Sequence, residues 1–233
     1  MKNVVITGAS TGLGYAIASA FAREGNQLIL ISKTPSKLAA ATERLQKENT
    51  VNITSYAADL SDKKATIDVG KQILKEFNKI DILVNNAGSY VPGAIYNEPD
   101  GQIEFMINTN LYSAYHLTRT LMPAFEKQSS GHIFNMCSIA SLQAYANGGS
   151  YSISKFALAG FTKNLREELK PLGIKVTGVY PGAAYTDSWK GSGVEESRLM
   201  TADDVAEMIF SASKLSVQAC VEEIVLRPQL GDL

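Results

Sequence analysis

The sequence has few of the residues that build disulfide frameworks and metal centres. It contains two cysteines and two histidines among 233 residues. Cys137 and Cys220 lie far apart, without the Cys-x-x-Cys spacing of zinc and redox sites, and His116 and His132 form no cluster with them. We therefore expect neither a structural disulfide nor a metal site.

Excess charge and long apolar runs are also absent. The formal net charge of -1 gives no basic surface for nucleic acid or anionic lipid. No apolar run approaches the roughly 20 residues of a membrane-spanning helix. Strand-like residues begin directly after residues 1–3, which leaves no room for a signal segment. We expect a cytoplasmic protein that binds neither nucleic acid nor membranes.

The composition is that of a globular protein with a sizeable core. Hydrophobic residues make up 45% of the chain and charged residues 19%. No repeat or low-complexity linker divides the sequence, so we predict one domain over residues 1–233. The least patterned stretch, at about 185–200, holds Gly191 and Gly193 and is predicted to be a variable substrate loop.

Short apolar runs alternate with longer segments of helical apolar spacing. The alternation predicts right-handed β-α-β crossovers, and the continuous Val/Ile/Leu runs predict a sheet covered on both faces. The fold class is therefore α/β, a doubly wound Rossmann-type seven-stranded parallel sheet with helices on both faces. The predicted strands are Val4 to Ile6, Leu28 to Ile31, Ile53 to Tyr56, Ile82 to Val84, Ile133 to Met136, Val176 to Val179 and Ile224 to Leu226. The predicted helices are 13–24, 36–47, 62–76, 102–127, 150–170 and 202–214, with Ser61 and Thr201 as N-caps.

A glycine-rich turn follows the first strand and opens the first helix. Glycines permit close backbone approach, and a helix N-terminus presents N–H groups and a positive dipole end to a phosphate. A tight turn without a ligand is the alternative, but the position in the first β-α unit favours a dinucleotide. The predicted phosphate-binding residues are Gly8, Ser10, Thr11, Gly12, Leu13 and Gly14.

Tyr151 and Lys155 are spaced four residues apart in a predicted helix. Residues with this spacing share a helix face. An ammonium beside a phenol favours the phenolate, which would move the tyrosine pKa from about 10 toward the working range of a general acid/base. Taken alone, such a pair is more often a surface contact than a catalytic one.

Five motifs occur in a fixed order along the chain. They are the glycine turn, Asp59 in Ala-Asp-Leu, Asn85-Asn86-Ala87-Gly88, Ser138 before Tyr151-x-x-x-Lys155, and Pro181-Gly182. Together they make essentially the whole chain resemble the short-chain dehydrogenase/reductase superfamily. The resemblance implies an oxidoreductase that transfers hydride between a nicotinamide cofactor and a carbonyl/alcohol pair.

The resemblance also implies the catalytic roles. Tyr151 is the general acid in reduction and the general base in oxidation, and Lys155 lowers its pKa and binds the nicotinamide ribose. Ser138 hydrogen-bonds the substrate oxygen, where charge develops. Asn110 matches an asparagine that holds a water in the proton relay, with Asn108 as a nearby competitor.

Further cofactor contacts follow from the same resemblance. Asp59, followed by Leu60, is expected at the adenine ring, and Asn86, Ala87 and Gly88 are expected beneath the cofactor. Pro181, Gly182, Ala184 and Thr186 are expected at the nicotinamide, where the Thr186 hydroxyl contacts the carboxamide. Outside the family, Asp59 would read as a helix-start acid and the asparagines as a strand-end turn. Ala184 and Cys137 depart from the usual β-branched residue and serine, which affects packing rather than reaction.

The end of the second strand predicts the choice of cofactor. An acidic residue there binds the ribose diol of NAD, whereas a basic residue accommodates the 2′-phosphate of NADP. The chain carries Lys33 and no carboxylate at this point, which favours NADP(H). NAD(H) stays possible because lysine is a flexible point charge and because Thr11 stands where many NADP-preferring relatives carry Arg or Lys. Lys33 could also be a solvated turn residue.

The predicted substrate is a small-molecule carbonyl or alcohol, of the 3-oxoacyl or small-ketone type. The segments Tyr90–Pro92 and Gln143–Tyr145 and the side chain of Trp189 would line a mostly apolar pocket, or would anchor loops. By the resemblance, the long helices at 102–127 and 150–170 form a homodimer or homotetramer.

Two other functional classes are compatible with a dinucleotide fold. The first is a non-catalytic regulatory protein that senses dinucleotides, against which the complete set Asn110, Ser138, Tyr151 and Lys155 argues. The second is an enoyl reductase or a sugar-nucleotide epimerase. Enoyl reductases of related fold space their Tyr and Lys more widely, and epimerases need a longer C-terminal substrate domain.

Overall fold

The computed structural model describes residues 1–186, 189, 191 and 193–232. Within them, seven parallel strands form one sheet in the order β3-β2-β1-β4-β5-β6-β7. The strands are β1 (Asn3–Thr7), β2 (Gln27–Ser32), β3 (Ile53–Ala57), β4 (Ile82–Asn85), β5 (Gly131–Met136), β6 (Ile174–Pro181) and β7 (Glu223–Leu226). The order reverses between β1 and β4, which is where doubly wound sheets form their ligand crevice. The predicted strands and fold class are confirmed.

The helices also follow the predicted pattern, with one interruption. They are α1 (Gly12–Arg23), α2 (Pro35–Glu48), α3 (Lys63–Glu76), α4 (Gln102–Ile107), α5 (Ser113–Gln128), α6 (Gly149–Leu169) and α7 (Ala202–Ser213). The single helix predicted over 102–127 is α4 and α5 joined by a π-helical segment, Asn108–Tyr112. This wider turn brings Asn110 into a buried position.

Of the two predicted N-caps, one is confirmed and one is wrong. Thr201 begins α7 in a capping box with Asp204. The cap of α3 is Asp62, whose carboxylate accepts from the Ala65 N–H at 2.6 Å. Ser61 does not cap the helix because its hydroxyl instead donates to Asp59 at 2.7 Å.

Helices cover both faces of the sheet, as predicted. Val4 and Ile6 of β1 pack with residues of α1 and α7, whereas Val5 between them packs with residues of α3, α5 and α6. Successive strand residues point to opposite faces, so an unbroken apolar run requires a helical layer on each side. No described helix is long and apolar enough to cross a membrane.

A buried histidine lies inside the sheet on β5. His132 Nε2 is 2.7 Å from the Thr177 hydroxyl oxygen. That hydroxyl donates to the Val221 carbonyl at 2.5 Å, so Nε2 carries the imidazole proton. Within the described chain, no group hydrogen-bonds the other ring nitrogen. Burial, with repulsion from Lys175 and Lys2, lowers the pKa of His132 to about 3.

His132 should make the protein sensitive to acid. The unfolded chain takes up a proton on this imidazole near its ordinary pKa of about 6.5, whereas the folded chain does so only near 3. Stability from the neutral ring is therefore complete above about pH 6.5 and falls by up to about 1.4 kcal/mol per pH unit below it. We expect urea unfolding between pH 6.5 and 5 to show a loss of the free energy of unfolding that is about 1.6 kcal/mol larger in wild type than in His132→Gln. The control is His116→Gln, at a half-buried histidine. An equal dependence of the free energy of unfolding on pH in wild type and His132→Gln would contradict the prediction.

Candidate active site

The glycine turn between β1 and α1 is shaped for close approach of a ligand. Gly8 and Gly12 have φ values of +64° and +55°, in the left-handed region that favours glycine. A Cβ on Gly14 would lie 2.2 Å from the Gly8 carbonyl oxygen, so α1 packs directly on the turn. The N-cap residue Thr11 makes no side-chain hydrogen bond to the helix, which leaves the first N–H groups of α1 available for an anion. Ser10 ties the turn to β2 through the Ser32 hydroxyl at 2.8 Å.

The Asn-Asn-Ala-Gly turn after β4 is hydrogen-bonded to this glycine turn. The Thr7 hydroxyl accepts from the N–H groups of Asn86 and Ala87, each at 2.8 Å. The Asn86 amide donates to the Thr7 carbonyl at 2.9 Å. On the preceding residue, the buried Asn85 amide donates to Asn135 of β5 at 2.8 Å. The two asparagines therefore hold the carboxyl ends of β1, β4 and β5 together.

Lys33 and Asp59, both predicted at the adenosine half of the cofactor, form an ion pair with each other. Lys33 Nζ is 2.8 Å from Asp59 Oδ2, and the lysine side chain is 70% exposed. Partial burial would raise the pKa of Asp59, but hydrogen bonds from Lys33 and Ser61 outweigh it and lower the pKa. Exposed pairs contribute only about 0–1 kcal/mol, so Asp59 holds Lys33 only weakly. Leu60 lies buried beside the pair.

Lys155 is a buried ammonium on α6. Its side chain is 6% exposed in relative terms, and Nζ donates to the Met136 carbonyl at the end of β5 at 2.7 Å. Burial lowers its pKa to about 8. The sequence did not indicate the Met136 carbonyl as a partner, because a main-chain group leaves no mark in the residue types.

The phenol of Tyr151 stands at the same edge, but its pKa moves opposite to the prediction. Lys155 Nζ lies 5.8 Å from the Tyr151 ring centroid. Burial raises the Tyr151 pKa, and a hydrogen bond with Ser138 offsets this only in part. The predicted net lowering of the Tyr151 pKa is therefore wrong here, since desolvation is the largest effect on it. A phenol in this setting stays protonated at neutral pH, as a proton donor must.

Ser138 is placed between β5 and the start of α6. Its hydroxyl oxygen accepts from the Ala140 N–H at 3.1 Å, at the start of a short 3-10 helix, Ile139–Ser141. Because that contact uses the oxygen as an acceptor, the hydroxyl proton is available for Tyr151 or for a substrate oxygen.

Asn110 lies in the π-helical segment and is 1% exposed. Its side chain exchanges hydrogen bonds with the Ser89 main chain at 2.7 and 3.0 Å and donates to the Ser154 hydroxyl at 2.9 Å. A Cβ on Gly88 would be 3.0 Å from Asn110 Oδ1 and 3.6 Å from Lys155 Nζ. The two side chains therefore flank Gly88, and the structure brings Asn110 to the site.

The segment after β6 returns over the glycine turn. The Gly182 N–H, which follows Pro181, donates to the Leu226 carbonyl at 2.8 Å. Ala184 pairs with Met200, which closes the base of the predicted substrate loop. The Thr186 methyl carbon would be 3.2 Å from a Cβ on Gly12. Residues 187, 188, 190 and 192 of the predicted loop lie outside the described residues.

The predicted pocket aromatics only partly converge on Tyr151. The Tyr90 ring packs edge-to-face on the Tyr151 ring, with centroids 4.8 Å apart. Burial raises the pKa of Tyr145, and a hydrogen bond with Tyr90 adds to this effect. Pro92 and Gln143 are exposed. Cys137 is a buried free thiol, and burial raises its pKa.

Some features of the site were not predicted. Glu98, on the loop between β4 and α4, accepts two hydrogen bonds from Ser150, the residue before Tyr151. The two residues are 52 positions apart, and no local pattern connects them. Among the described residues, no group of three or more His, Cys, Asp and Glu side chains could hold a metal ion.

Comparison with known proteins identifies the family. The model of the short chain dehydrogenase family matches residues 2–197. The sepiapterin reductase of Chlorobaculum tepidum is 34% identical over 100% of the chain and 99% of its own length. An uncharacterized oxidoreductase of Staphylococcus epidermidis is 30% identical over 97% of each chain. The chain belongs to the short chain dehydrogenase family, as its motifs predicted.

Solved structures agree with this assignment. The L-sorbose reductase of Gluconobacter frateurii, complexed with NADPH and L-sorbose, has a TM-score of 0.89 at 26% identity over 97% of this chain and 94% of that one. The alcohol dehydrogenase of Thermococcus sibiricus, complexed with 5-hydroxy-NADP, has a TM-score of 0.90 at 27% identity over 98% and 97%. The protein is an oxidoreductase acting on CH-OH or C=O groups, and the alternative of a dinucleotide-sensing regulatory protein gains no support.

Proposed function

We propose that the protein reduces a small carbonyl compound with NADPH and can catalyse the reverse oxidation with NADP. The observation that carries this proposal is the grouping of the Tyr151 phenol with the Ser138 hydroxyl at the carboxyl end of β5. A proton donor and a second hydroxyl at this edge of the sheet are what reduction of a carbonyl oxygen requires.

The residues present fit a dinucleotide with a 2′-phosphate. The uncapped start of α1 offers N–H groups to the pyrophosphate, and Lys33 supplies an exposed cation at the end of β2. Both structural relatives named above carry an NADP-type cofactor. When bound, the cofactor supplies the hydride; the protein's own residues supply the proton and the orientation of the substrate.

The contacts of the four side chains support the following proposed roles. The Ser138 hydroxyl orients the carbonyl oxygen, and the Tyr151 phenol donates its proton there as the alkoxide forms. The Lys155 ammonium, held by the Met136 carbonyl, stabilises the phenolate that remains. Asn110 stands beside Lys155 across Gly88, and its proposed role is to hold a water that returns a proton to the site.

The proposed substrate is a compact ketone rather than a long chain. Tyr90 and Tyr145 place partly exposed aromatic rings next to Tyr151, which suits a substrate with an apolar or ring-bearing face. Sepiapterin reductase and L-sorbose reductase are named for compact carbonyl compounds. A 3-oxoacyl thioester is the second candidate within the same reaction class.

A screen of carbonyl compounds tests the proposed function. NADPH absorbance would be followed with small ketones, L-sorbose, sepiapterin and a 3-oxoacyl thioester, each compared with a reaction lacking substrate. We expect oxidation of NADPH with at least one compact ketone and slower oxidation of NADH. No turnover with any of these compounds, in a folded protein that binds neither cofactor, would refute the proposal.

Lys33 should set the preference for NADPH. Losing a hydrogen bond to a charged group costs roughly 1.5–3 kcal/mol, reduced here because the side chain is exposed. We therefore expect Lys33→Ala to weaken NADPH binding about tenfold and to leave NADH binding within twofold, measured by fluorescence titration at one ionic strength. Lys37→Ala, at an exposed lysine on α2, is the control. Equal weakening of both cofactors, or tighter binding of NADH than NADPH by wild type, would reject this role.

We also propose that the chain forms a homodimer or homotetramer through α5 and α6. Several side chains in and beside these helices are large, apolar and exposed by 44–45%, namely Tyr112, Ile153 and Phe156. Burying such side chains between copies would remove apolar area from water. Light scattering distinguishes the assemblies, because one chain has a mass of 25.1 kDa.

A further inference from the structure

The first turn of α6, which carries Tyr151, has no cap from its own sequence. Its N-cap residue is Gly148, which has no side chain to offer, and the first N–H groups of a helix need outside partners. The Ser150 N–H finds its partner in Glu98 Oε1 at 2.8 Å. The Ser150 hydroxyl donates to the other oxygen of the same carboxylate.

The surrounding backbone is shaped to admit this carboxylate. Gly149 has a φ of +42°, and a Cβ there would be 1.9 Å from Glu98 Oε1. A Cβ on Gly93 would be 2.8 Å from Glu98 Cγ. Gly93 also donates its N–H to the Asn147 carbonyl at 3.1 Å, which fastens the loop to the residues before α6. Glycine at both positions is thus what lets Glu98 reach the buried Ser150.

The electrostatics of the contact favour an ionised Glu98. Hydrogen bonds from the Ser150 hydroxyl and N–H lower the pKa of Glu98. A carboxylate at a helix N-terminus also interacts favourably with the helix dipole. The contact therefore persists at the neutral pH at which the reaction is expected to run.

The same loop contacts Tyr151 directly. Tyr90 lies eight residues before Glu98 and packs its ring on that of Tyr151. Glu98 fixes the main chain at Ser150, the residue just before Tyr151, so backbone and ring are both held by the β4–α4 loop. A phenol must be placed to within a fraction of an ångström to transfer a proton efficiently.

We propose that Glu98 is a positioning residue for the catalytic tyrosine, acting through Ser150 and the first turn of α6. The expected effect on kcat rests on the proposed function, whereas the expected effect on the first turn of α6 does not. Loss of the carboxylate leaves Tyr151 present and the cofactor residues untouched, but lets the turn that carries the phenol move.

The test compares Glu98→Ala with Glu98→Gln, which keeps one acceptor oxygen, and with Glu104→Ala, which removes an exposed carboxylate on α4. We expect kcat to fall about ten- to a hundredfold in Glu98→Ala and less in Glu98→Gln, with the dissociation constant of NADPH within twofold of wild type. Glu104→Ala should behave as wild type. Combining Ser150→Ala with Glu98→Ala should lower kcat no further than Glu98→Ala alone.

Hydrogen exchange of residues 148–155 provides a readout that needs no substrate. We expect exchange to be about tenfold faster in Glu98→Ala and unchanged in Glu104→Ala. Unchanged exchange in Glu98→Ala would overturn the inference. A loss of kcat together with an equal loss of NADPH affinity would also overturn it, because Glu98 would then have a general role in stability. If the wild-type protein reduced none of the carbonyl compounds, the proposed function would be rejected. The hydrogen-exchange comparison would still decide whether Glu98 holds the first turn of α6.

Discussion

Replacing Tyr151 by Phe should lower kcat for carbonyl reduction by roughly a thousandfold or more, because it removes the proton donor itself. The affinity for NADPH should stay within about twofold of wild type. The Phe ring can keep the edge-to-face contact with Tyr90, and the hydrogen bond from Lys155 to Met136 does not involve the phenol. Steady-state rates with the best ketone from the screen, together with NADPH titration by fluorescence, would measure both quantities.

Tyr145→Phe is the matched control for this prediction. It removes a phenol hydroxyl at the same edge of the site, where Tyr145 interacts with Tyr90. We expect its effect on kcat to stay below about tenfold, since that hydroxyl is not placed beside Ser138. Equal activity of wild type and Tyr151→Phe would remove the general-acid assignment. A loss of NADPH binding in Tyr151→Phe would show that the substitution disturbs the fold of the site.

The parts of the fold that the sequence predicted are those encoded locally. The seven strands are short apolar runs, and the cap at Thr201 depends on Asp204 only three residues away. The glycine turn likewise draws its conformation from Gly8 and Gly12 within one stretch of chain. In each case residues close together in the sequence determine the local conformation, so the prediction and the structure agree.

The errors arose where the outcome depended on side-chain contacts or burial that the residue types alone do not show. Ser61 and Asp62 are both good N-caps, and the structure uses Asp62 because Asp59 takes the Ser61 hydroxyl. The four-residue spacing of Tyr151 and Lys155 places them on one face, but it contains no information on burial. Burial sets the direction of both their pKa shifts.

Two features of the candidate site had little or no signal in the sequence. The π-helical turn was marked only by an asparagine inside a predicted helix, where its propensity is poor. The contact between Glu98 and Ser150 joins residues 52 positions apart, and neither type is unusual in its own segment. Both features involve contacts among the β4–α4 loop, the π-helical segment and α6.

The second large effect is expected at Gly14, where α1 meets the glycine turn. A Cβ there would lie 2.2 Å from the Gly8 carbonyl oxygen and 2.5 Å from the Asn86 amide nitrogen. The Gly8 carbonyl cannot move away without opening the glycine turn, which is proposed to bind the pyrophosphate. We expect Gly14→Ala to lower the free energy of unfolding by about 2–3 kcal/mol and to abolish detectable NADPH binding.

Gly160→Ala separates this clash from ordinary helix propensity. Gly160 also lies in a helix, but a Cβ there would meet no atom within 4 Å. Alanine is favoured over glycine in a helix by about 0.8–1 kcal/mol, so Gly160→Ala should stabilise the protein by up to that amount. The same propensity gain applies at Gly14, which means that any net loss there measures the clash. Urea unfolding of both variants measures the difference in stability, and size-exclusion chromatography verifies that the assembly is unchanged. Similar stability and NADPH affinity in the two variants would show that the glycine turn can accommodate a side chain and does not define the cofactor site.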